Sequence, residues 1–168
     1  MKIHHIIPIL LLAGGFTISA QSSRDTNATA SAATARPKIY DESADGSKQI
    51  SDALVIAKQE GKHILLIFGD NGCGWCQRLH TLFETDQSIA TILKRDYLVV
   101  MIDVNEGHHN MAIFAKYFNP EQDGIPGIVI VDADDKQLTI NNTEELQEGH
   151  DYRPDKVMAF LKAWTPKT

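Results

Sequence analysis

The feature that most restricts the fold of this chain is a cysteine pair placed directly after a strand-length apolar run. Residues 64–68 are all apolar, residues 69–72 have the composition of a turn, and Cys73-Gly-Trp-Cys76 opens a helical pattern. A continuous apolar run of this length is typical of a strand covered on both faces. The 168 residues contain no other cysteine, which excludes a small domain held together by several disulfides.

Helical and strand patterns alternate along the chain from residue 39 onward. Apolar residues recur at helical spacing in segments 50–57, 79–83, 89–93, 111–118 and 157–164. Buried strands are predicted at 64–68, 97–104 and 128–131, with an antiparallel partner at 138–140. Ser47 is a candidate N-cap of the first helix, Gly61 is its expected end, and Pro154 fits the first turn of the last helix. The alternation predicts an α/β fold, with a central sheet flanked by helices on both faces.

The N-terminal segment is predicted to be a secretory signal peptide over residues 1–20. Lys2 supplies a positive charge, residues 6–13 are apolar, and small residues precede Gln21. An uncleaved signal anchor is the alternative, which the short apolar stretch disfavours. Residues 21–38 are rich in Ser, Thr, Ala and Asn and predict a flexible linker. Residues 39–168 are then the folded domain of an exported protein.

The charge balance argues against a nucleic-acid partner. The chain has 16 Lys and Arg against 22 Asp and Glu, a formal net charge of −6, and a nucleic-acid binder would have a basic surface. No apolar run reaches the ~20 residues that span a bilayer.

Two cysteines three residues apart at the start of a helix form a pair suited to redox chemistry. Such residues lie about 5–6 Å apart, a separation that a disulfide tolerates. Cys73 faces unpaired N–H groups and the positive end of the helix dipole, which stabilise a thiolate, so it is the predicted nucleophile. Cys76 is the predicted resolving thiol. A structural disulfide would close only a tiny loop, and a zinc site would lack its second ligand pair.

The strand, the Cys73-Gly-Trp-Cys76 motif and a Gly-Ile-Pro triplet at 124–126 together resemble the thioredoxin family. Tyr-Asp-Glu-Ser-Ala-Asp at 40–45 is more closely similar to the opening of exported bacterial thioredoxin-like proteins. The resemblance covers residues 39–164. It implies a thioredoxin-like fold with a mixed sheet, a redox-active Cys73–Cys76 disulfide, no cofactor and a periplasmic location. It also implies that Pro126 is a cis-proline beside the disulfide and that Ile125 offers backbone groups to an extended substrate.

Two positions depart from the pattern of thioredoxin itself. The buried acid six residues before the nucleophile is replaced by Ile67, and the Trp before the first cysteine is replaced by Gly72. A proton acceptor for Cys76 must then be water or another side chain. His80, four residues after Cys76 on the same helical stripe, is the nearest candidate, and a partly exposed helix histidine is the alternative interpretation.

Other side chains near the motif have two interpretations each. Trp75 is expected to be largely exposed, where it would contact an unfolded or extended partner; packing on the domain's own surface is the alternative. Arg78 is expected to be solvated. The adjacent residues His108 and His109 are either metal ligands or solvated side chains of a loop.

Three functions remain open from the sequence. The first is an exported thiol–disulfide oxidoreductase that acts on protein thiols and disulfides. The second is a binding or chaperone module, and the third is a metal-handling thiol carrier that uses Cys73, Cys76 and His80. Because Gly74 and Trp75 place no cation between the cysteines, the enzyme is expected to be a reductant or mild oxidoreductase. An exported reductant needs a membrane-bound thiol donor as its partner.

Overall fold

The computed structural model describes residues 36–105, 107 and 110–167. Within that part, helices and strands alternate much as the sequence predicts. In chain order the elements are α1 (Gly46–Glu60), β1 (His63–Gly69), α2 (Gly74–Thr85), α3 (Gln87–Asp96), β2 (Tyr97–Asp103), α4 (Met111–Phe114), β3 (Gly127–Val131), β4 (Gln137–Asn141), β5 (Gln147–Glu148), β6 (Asp151–Tyr152) and α5 (Pro154–Ala163). None of the described helices combines the length and apolar character needed to cross a membrane.

The central sheet is mixed and has four strands in the order β2-β1-β3-β4. Strand β1 runs parallel to β2 and antiparallel to β3, and β3 runs antiparallel to β4. This arrangement confirms the prediction of an α/β fold with a mixed sheet. The expectation that β2 is fully buried is wrong, because β2 lies at an edge of the sheet and Val99 is exposed.

Helices cover both faces of the sheet, as predicted. On one face, Leu65 and Ile67 of β1 pack with apolar side chains from α2, α3 and α5. On the other face, Ile64, Leu66 and Phe68 pack with side chains from α1 and α4. Because successive side chains of a strand point to opposite faces, the continuous apolar run of β1 supplies both cores. The loop that follows β1 therefore starts from a strand that is packed on both faces.

The ends of two helices differ in detail from the sequence prediction. The N-cap of α1 is Asp45, whose carboxylate accepts hydrogen bonds from the backbone N–H groups of Ser47 and Lys48, so the prediction of Ser47 was wrong. Gly61 ends this helix in the left-handed conformation, as predicted. The predicted helix 111–118 is α-helical only over Met111–Phe114, after which the N–H groups of Lys116 and Tyr117 make i→i+3 hydrogen bonds and that of Phe118 makes an i→i+4 bond, so the chain continues as turns.

Candidate active site

The two cysteines form a disulfide at the start of α2. Their Cα atoms lie 5.3 Å apart, within the range expected from the spacing. Cys73 is the N-cap residue, and its Sγ accepts a hydrogen bond from the backbone N–H of Cys76 at 3.0 Å. Cys73 is partly exposed, whereas Cys76 is only 1% exposed. The pairing of Cys73 with Cys76 is confirmed, and the first cysteine of the pair is more exposed than the second.

The loop between β1 and α2 is held by groups of opposite charge. The Asp70 carboxylate accepts hydrogen bonds from the N–H of Gly72 at 2.7 Å and the N–H of Cys73 at 2.8 Å. From the other side, the Arg36 guanidinium donates to the carbonyl of Gly72 at 2.6 Å. This cation was not predicted at the site, because Arg36 lies within the predicted linker. An anion and a cation therefore both flank Cys73.

A second loop, remote in sequence, lies against Cys73. The Ile125–Pro126 peptide bond is cis, and the carbonyl oxygen of Ile125 is 3.7 Å from Cys73 Sγ. The hydroxyl of Thr143 donates to the carbonyl of Pro126 at 3.1 Å and also pairs with the hydroxyl of Tyr152 at 3.1 Å. The structure thus brings Ile125 and Pro126 to the disulfide, while their role in substrate binding remains a prediction.

Trp75 is partly buried, which corrects the expectation of a largely exposed ring. Its ring packs edge-on against Tyr152 with centroids 5.4 Å apart, and the Arg78 guanidinium lies over it, 5.3 Å from the centroid. Trp75 is partly buried because of a tertiary contact. The small β5–β6 hairpin, which was not predicted from the sequence, places Tyr152 against α2. Arg78 is exposed but contacts this ring, so it is not simply solvated.

His80 is directed toward the next turn of its helix. Its Nε2 lies 3.7 Å from Glu84 Oε1, and its side chain is 32% exposed. In the part of the chain that the structure describes, no hydrogen bond or ion pair joins His80 to Cys76. A role for His80 as a proton acceptor therefore remains a prediction without a contact to support it.

The metal-carrier hypothesis has no geometric support in the described ranges. No group of three or more His, Cys, Asp or Glu side chains suited to a metal ion occurs there. His108 and His109 lie outside the described residues.

Tyr40 is a further residue near the disulfide that was not predicted from the sequence. It is 3% exposed, and its hydroxyl oxygen and Cys76 Sγ both border Gly69. Burial raises the pKa of Tyr40 far above its ordinary value, and the carboxylates of Asp70 and Asp103 add to the rise. Tyr40 opens the 40–45 segment, which is similar to the opening of exported bacterial thioredoxin-like proteins. That segment was the only sequence signal that pointed to it.

Comparisons with known proteins agree with this geometry. A sequence profile described as thioredoxin-like matches residues 46–133. The structure of a disulphide isomerase from Xylella fastidiosa Temecula1 is 31% identical, covers 76% of this chain and 96% of its own, and superposes with a TM-score of 0.66. A search of curated proteins found no match.

Two further solved structures share the fold at lower identity. A thioredoxin from Thermus thermophilus is 18% identical, covers 67% of this chain and 81% of its own, and has a TM-score of 0.50. The C-terminal domain of DsbD from Neisseria meningitidis, in the oxidised form, is 18% identical, covers 71% of this chain and 96% of its own, and has a TM-score of 0.53. Since the profile spans α1 to the end of β3 with both cysteines inside it, this chain belongs to the thioredoxin-like family, as a thiol–disulfide oxidoreductase.

Proposed function

We propose that this protein is an exported oxidoreductase that exchanges disulfides with protein substrates, as a reductant or a mild general oxidoreductase. The observation that carries the proposal is the asymmetry of the cysteine pair. Cys73 caps α2 at a partly exposed position, and Cys76 is buried one turn further along. An accessible sulfur is suited to attack a large substrate, and a buried one is suited to attack only its neighbour.

In the reducing direction the exchange takes two steps. The Cys73 thiolate attacks one sulfur of the substrate disulfide, forms a mixed disulfide and releases the other substrate sulfur as a thiolate. The Cys76 thiolate then attacks Cys73 Sγ, forms the Cys73–Cys76 bond and releases the second substrate sulfur. Two electrons pass from the cysteine pair to the substrate. The two protons of the original thiols pass through solvent to the released substrate thiols.

The neighbouring loop supports a protein as the substrate. The backbone of Ile125 lies beside Cys73 Sγ, so an extended substrate segment that pairs with it would carry its disulfide to the nucleophile. The partly exposed ring of Trp75 would supply an apolar contact near the same sulfur, and the buried Pro126 would hold the backbone of Ile125 in place. The relative from Xylella fastidiosa is described as a disulphide isomerase, which agrees with protein disulfides as substrates.

The charges near Cys73 support a reducing or mildly oxidising role. A strong oxidant has a reduced form that is strongly stabilised, chiefly through the thiolate of its nucleophile. Here the Asp70 carboxylate bonds to the N–H of Cys73, while Arg36 bonds to the preceding carbonyl. The two charges oppose each other, so the helix dipole remains as the main stabilising influence on the thiolate.

The N-terminal segment bears on where the protein acts and on how it is reduced again. We propose a signal peptide over residues 1–20, a linker over 21–38 and a folded domain over 39–168, with the periplasm as the destination. An exported reductant consumes its own thiols at every turnover. A membrane-bound thiol donor would therefore have to reduce Cys73–Cys76 again.

Reduction of insulin by the reduced protein tests the function. With a dithiol present to regenerate the pair, we expect the wild-type protein to speed the precipitation of the insulin B chain. A Cys73→Ser variant, which lacks the attacking sulfur, should fall to the rate of the dithiol alone. Equal rates for the wild-type protein and this variant would leave a binding module or a metal carrier as the better hypothesis.

The direction of the reaction is tested by the reduction potential. Equilibration against glutathione redox buffers, with the two forms separated after acid quenching, should give a value below about −200 mV, near the thioredoxin end of the scale. A value near −120 mV, typical of a strong oxidant, would contradict the proposed reducing role.

A further inference from the structure

Cys76 has to act as a thiolate in an environment that does not favour charge. Its side chain is 1% exposed, and a buried anion without a hydrogen-bond donor is costly. Ile67, which stands where thioredoxin has an acid, is itself buried among apolar side chains. His80 lies near Glu84. The resolving step proposed above therefore needs a polar group that reaches Cys76 from inside the domain.

The Tyr40 hydroxyl is a buried polar group in that position. A side-chain carbon placed on Gly69 would lie 2.6 Å from Cys76 Sγ and 2.8 Å from Tyr40 Cζ, with the Tyr40 hydroxyl oxygen closer still. The hydroxyl and the sulfur are thus neighbours across one glycine. In this oxidised form the hydroxyl has no hydrogen-bond partner among the described residues. A buried hydroxyl left without a partner is unusual and calls for a physical explanation.

The main chain around Tyr40 is fixed to the active-site loop. The side-chain oxygen of Asn71 accepts hydrogen bonds from the N–H groups of Ile39 and Tyr40, at 2.8 and 2.9 Å. The side-chain nitrogen of Asn71 donates to the carbonyl of Tyr40 at 3.0 Å. Since Asn71 lies two residues before Cys73, the loop that presents the nucleophile also holds Tyr40 in place.

We propose that the Tyr40 hydroxyl donates a hydrogen bond to the Cys76 thiolate once the disulfide opens, and so speeds the resolving step. Reduction followed by loss of the thiol proton changes Cys76 Sγ from a disulfide sulfur into an anion, which is a much stronger hydrogen-bond acceptor. The raised pKa of Tyr40, caused first by burial and then by Asp70, Tyr152 and Asp103, keeps its proton in place. Tyr40 is therefore a donor and not a base, and the proton of Cys76 leaves to solvent.

The inference rests on the proposed exchange reaction, and its test uses oxidised glutathione as the substrate. The Cys73 thiolate attacks glutathione disulfide, which gives a Cys73–glutathione adduct and one glutathione thiolate. Cys76 then displaces the second glutathione and closes the Cys73–Cys76 bond. Acid quenching at successive times followed by intact-mass measurement gives the rate of each step.

In a Tyr40→Phe variant, we expect the adduct to form at the wild-type rate and to be resolved about tenfold more slowly or worse. The matched control is Tyr97→Phe. Tyr97 is equally buried, but its hydroxyl donates a hydrogen bond to the carbonyl of Leu161 at 2.7 Å. Tyr97 pairs with His63 at the start of β1, whereas the disulfide follows the other end of that strand. The Tyr97→Phe control should lose stability but keep the wild-type rates of adduct formation and of resolution. Tyr40→Phe should keep the stability of the oxidised protein, because in that form the Tyr40 hydroxyl makes no hydrogen bond with the described residues.

A second measurement isolates the hydrogen bond itself. In a Cys73→Ser background Cys76 is the only thiol, so the ultraviolet absorbance of its thiolate can be followed against pH. Adding Tyr40→Phe should move the midpoint of that absorbance change to higher pH.

Two outcomes would overturn the proposed role of Tyr40, and a third would overturn the proposed disulfide exchange itself. Unchanged resolution in Tyr40→Phe, or an unchanged thiolate midpoint, would show that the hydroxyl only fills space. A wild-type protein that never forms the Cys73–glutathione adduct would refute the exchange reaction instead. The two failures are therefore distinguishable.

Discussion

A Cys76→Ser variant produced in the exporting cell is expected to accumulate as mixed disulfides with its substrates. The attacking sulfur of Cys73 remains at the N-cap of α2, so the first bond still forms. The sulfur that would release the substrate is missing, and a serine hydroxyl cannot replace it. On a non-reducing gel the variant should shift to a ladder of higher-mass species that collapses on reduction.

The reciprocal variant is the control for this trap. Cys73→Ser retains only the buried sulfur of Cys76, which is 1% exposed, and should form almost no adducts. The captured proteins also test export, since an exported enzyme should trap exported proteins that contain cysteines. Adducts formed mainly through Cys76, or adducts with cytoplasmic proteins alone, would contradict the assigned roles or the proposed location.

The sequence predicted those parts of the fold that depend on neighbouring residues. The apolar run at 64–68, the turn after it and the helical pattern from Cys73 are local signals, and the strand, loop and helix lie where they indicated. The position of the disulfide follows from the same signals, because residues three apart at a helix start lie at disulfide distance. The cores on both faces of the sheet follow from the apolar character of β1.

The sequence did not predict contacts made between distant segments. Trp75 is partly buried because Tyr152, on a two-residue strand too short to give a periodic pattern, packs against it. Tyr40 and Cys76 both border Gly69, and Asn71 holds the main chain of Tyr40, a contact between residues 31 positions apart. Such contacts depend on how elements pack and not on local propensity, so composition and spacing carry no signal for them.

Replacing Gly69 with alanine should destabilise the oxidised protein by about 3 kcal/mol, toward the upper end of the range for overpacked cores. Gly69 ends β1, and its carbonyl accepts a hydrogen bond from Val104 at 2.9 Å, so its backbone is held in place. A methyl group there would overlap Cys76 Sγ and the Tyr40 ring. Neither neighbour yields easily, because the disulfide fixes the sulfur and the ring is buried.

Urea denaturation of the oxidised proteins measures this effect, and Gly74→Ala is the matched control. Gly74 belongs to the same motif, but a side-chain carbon there would meet no heavy atom within 4 Å. Its replacement should change the stability by less than about 1 kcal/mol, in the stabilising direction expected for alanine in a helix. Equal stability of Gly69→Ala and the wild-type protein would contradict the close packing of Tyr40 and Cys76.

The double variant Gly69→Ala/Tyr40→Phe separates the two neighbours. Removing the hydroxyl oxygen takes away the atom nearest to the added methyl group, so part of the lost stability should return.

In the Gly69→Ala variant the methyl group also overlaps the sulfur of Cys76, and only reduction of the disulfide frees that sulfur to rotate. We therefore expect Gly69→Ala to cost less in the reduced protein than in the oxidised one. By linkage, its disulfide should be easier to reduce, with a potential about 30 mV higher for each 1.4 kcal/mol of that difference. An unchanged potential, together with a full loss of stability, would mean that the methyl group is accommodated in the same way in both redox states.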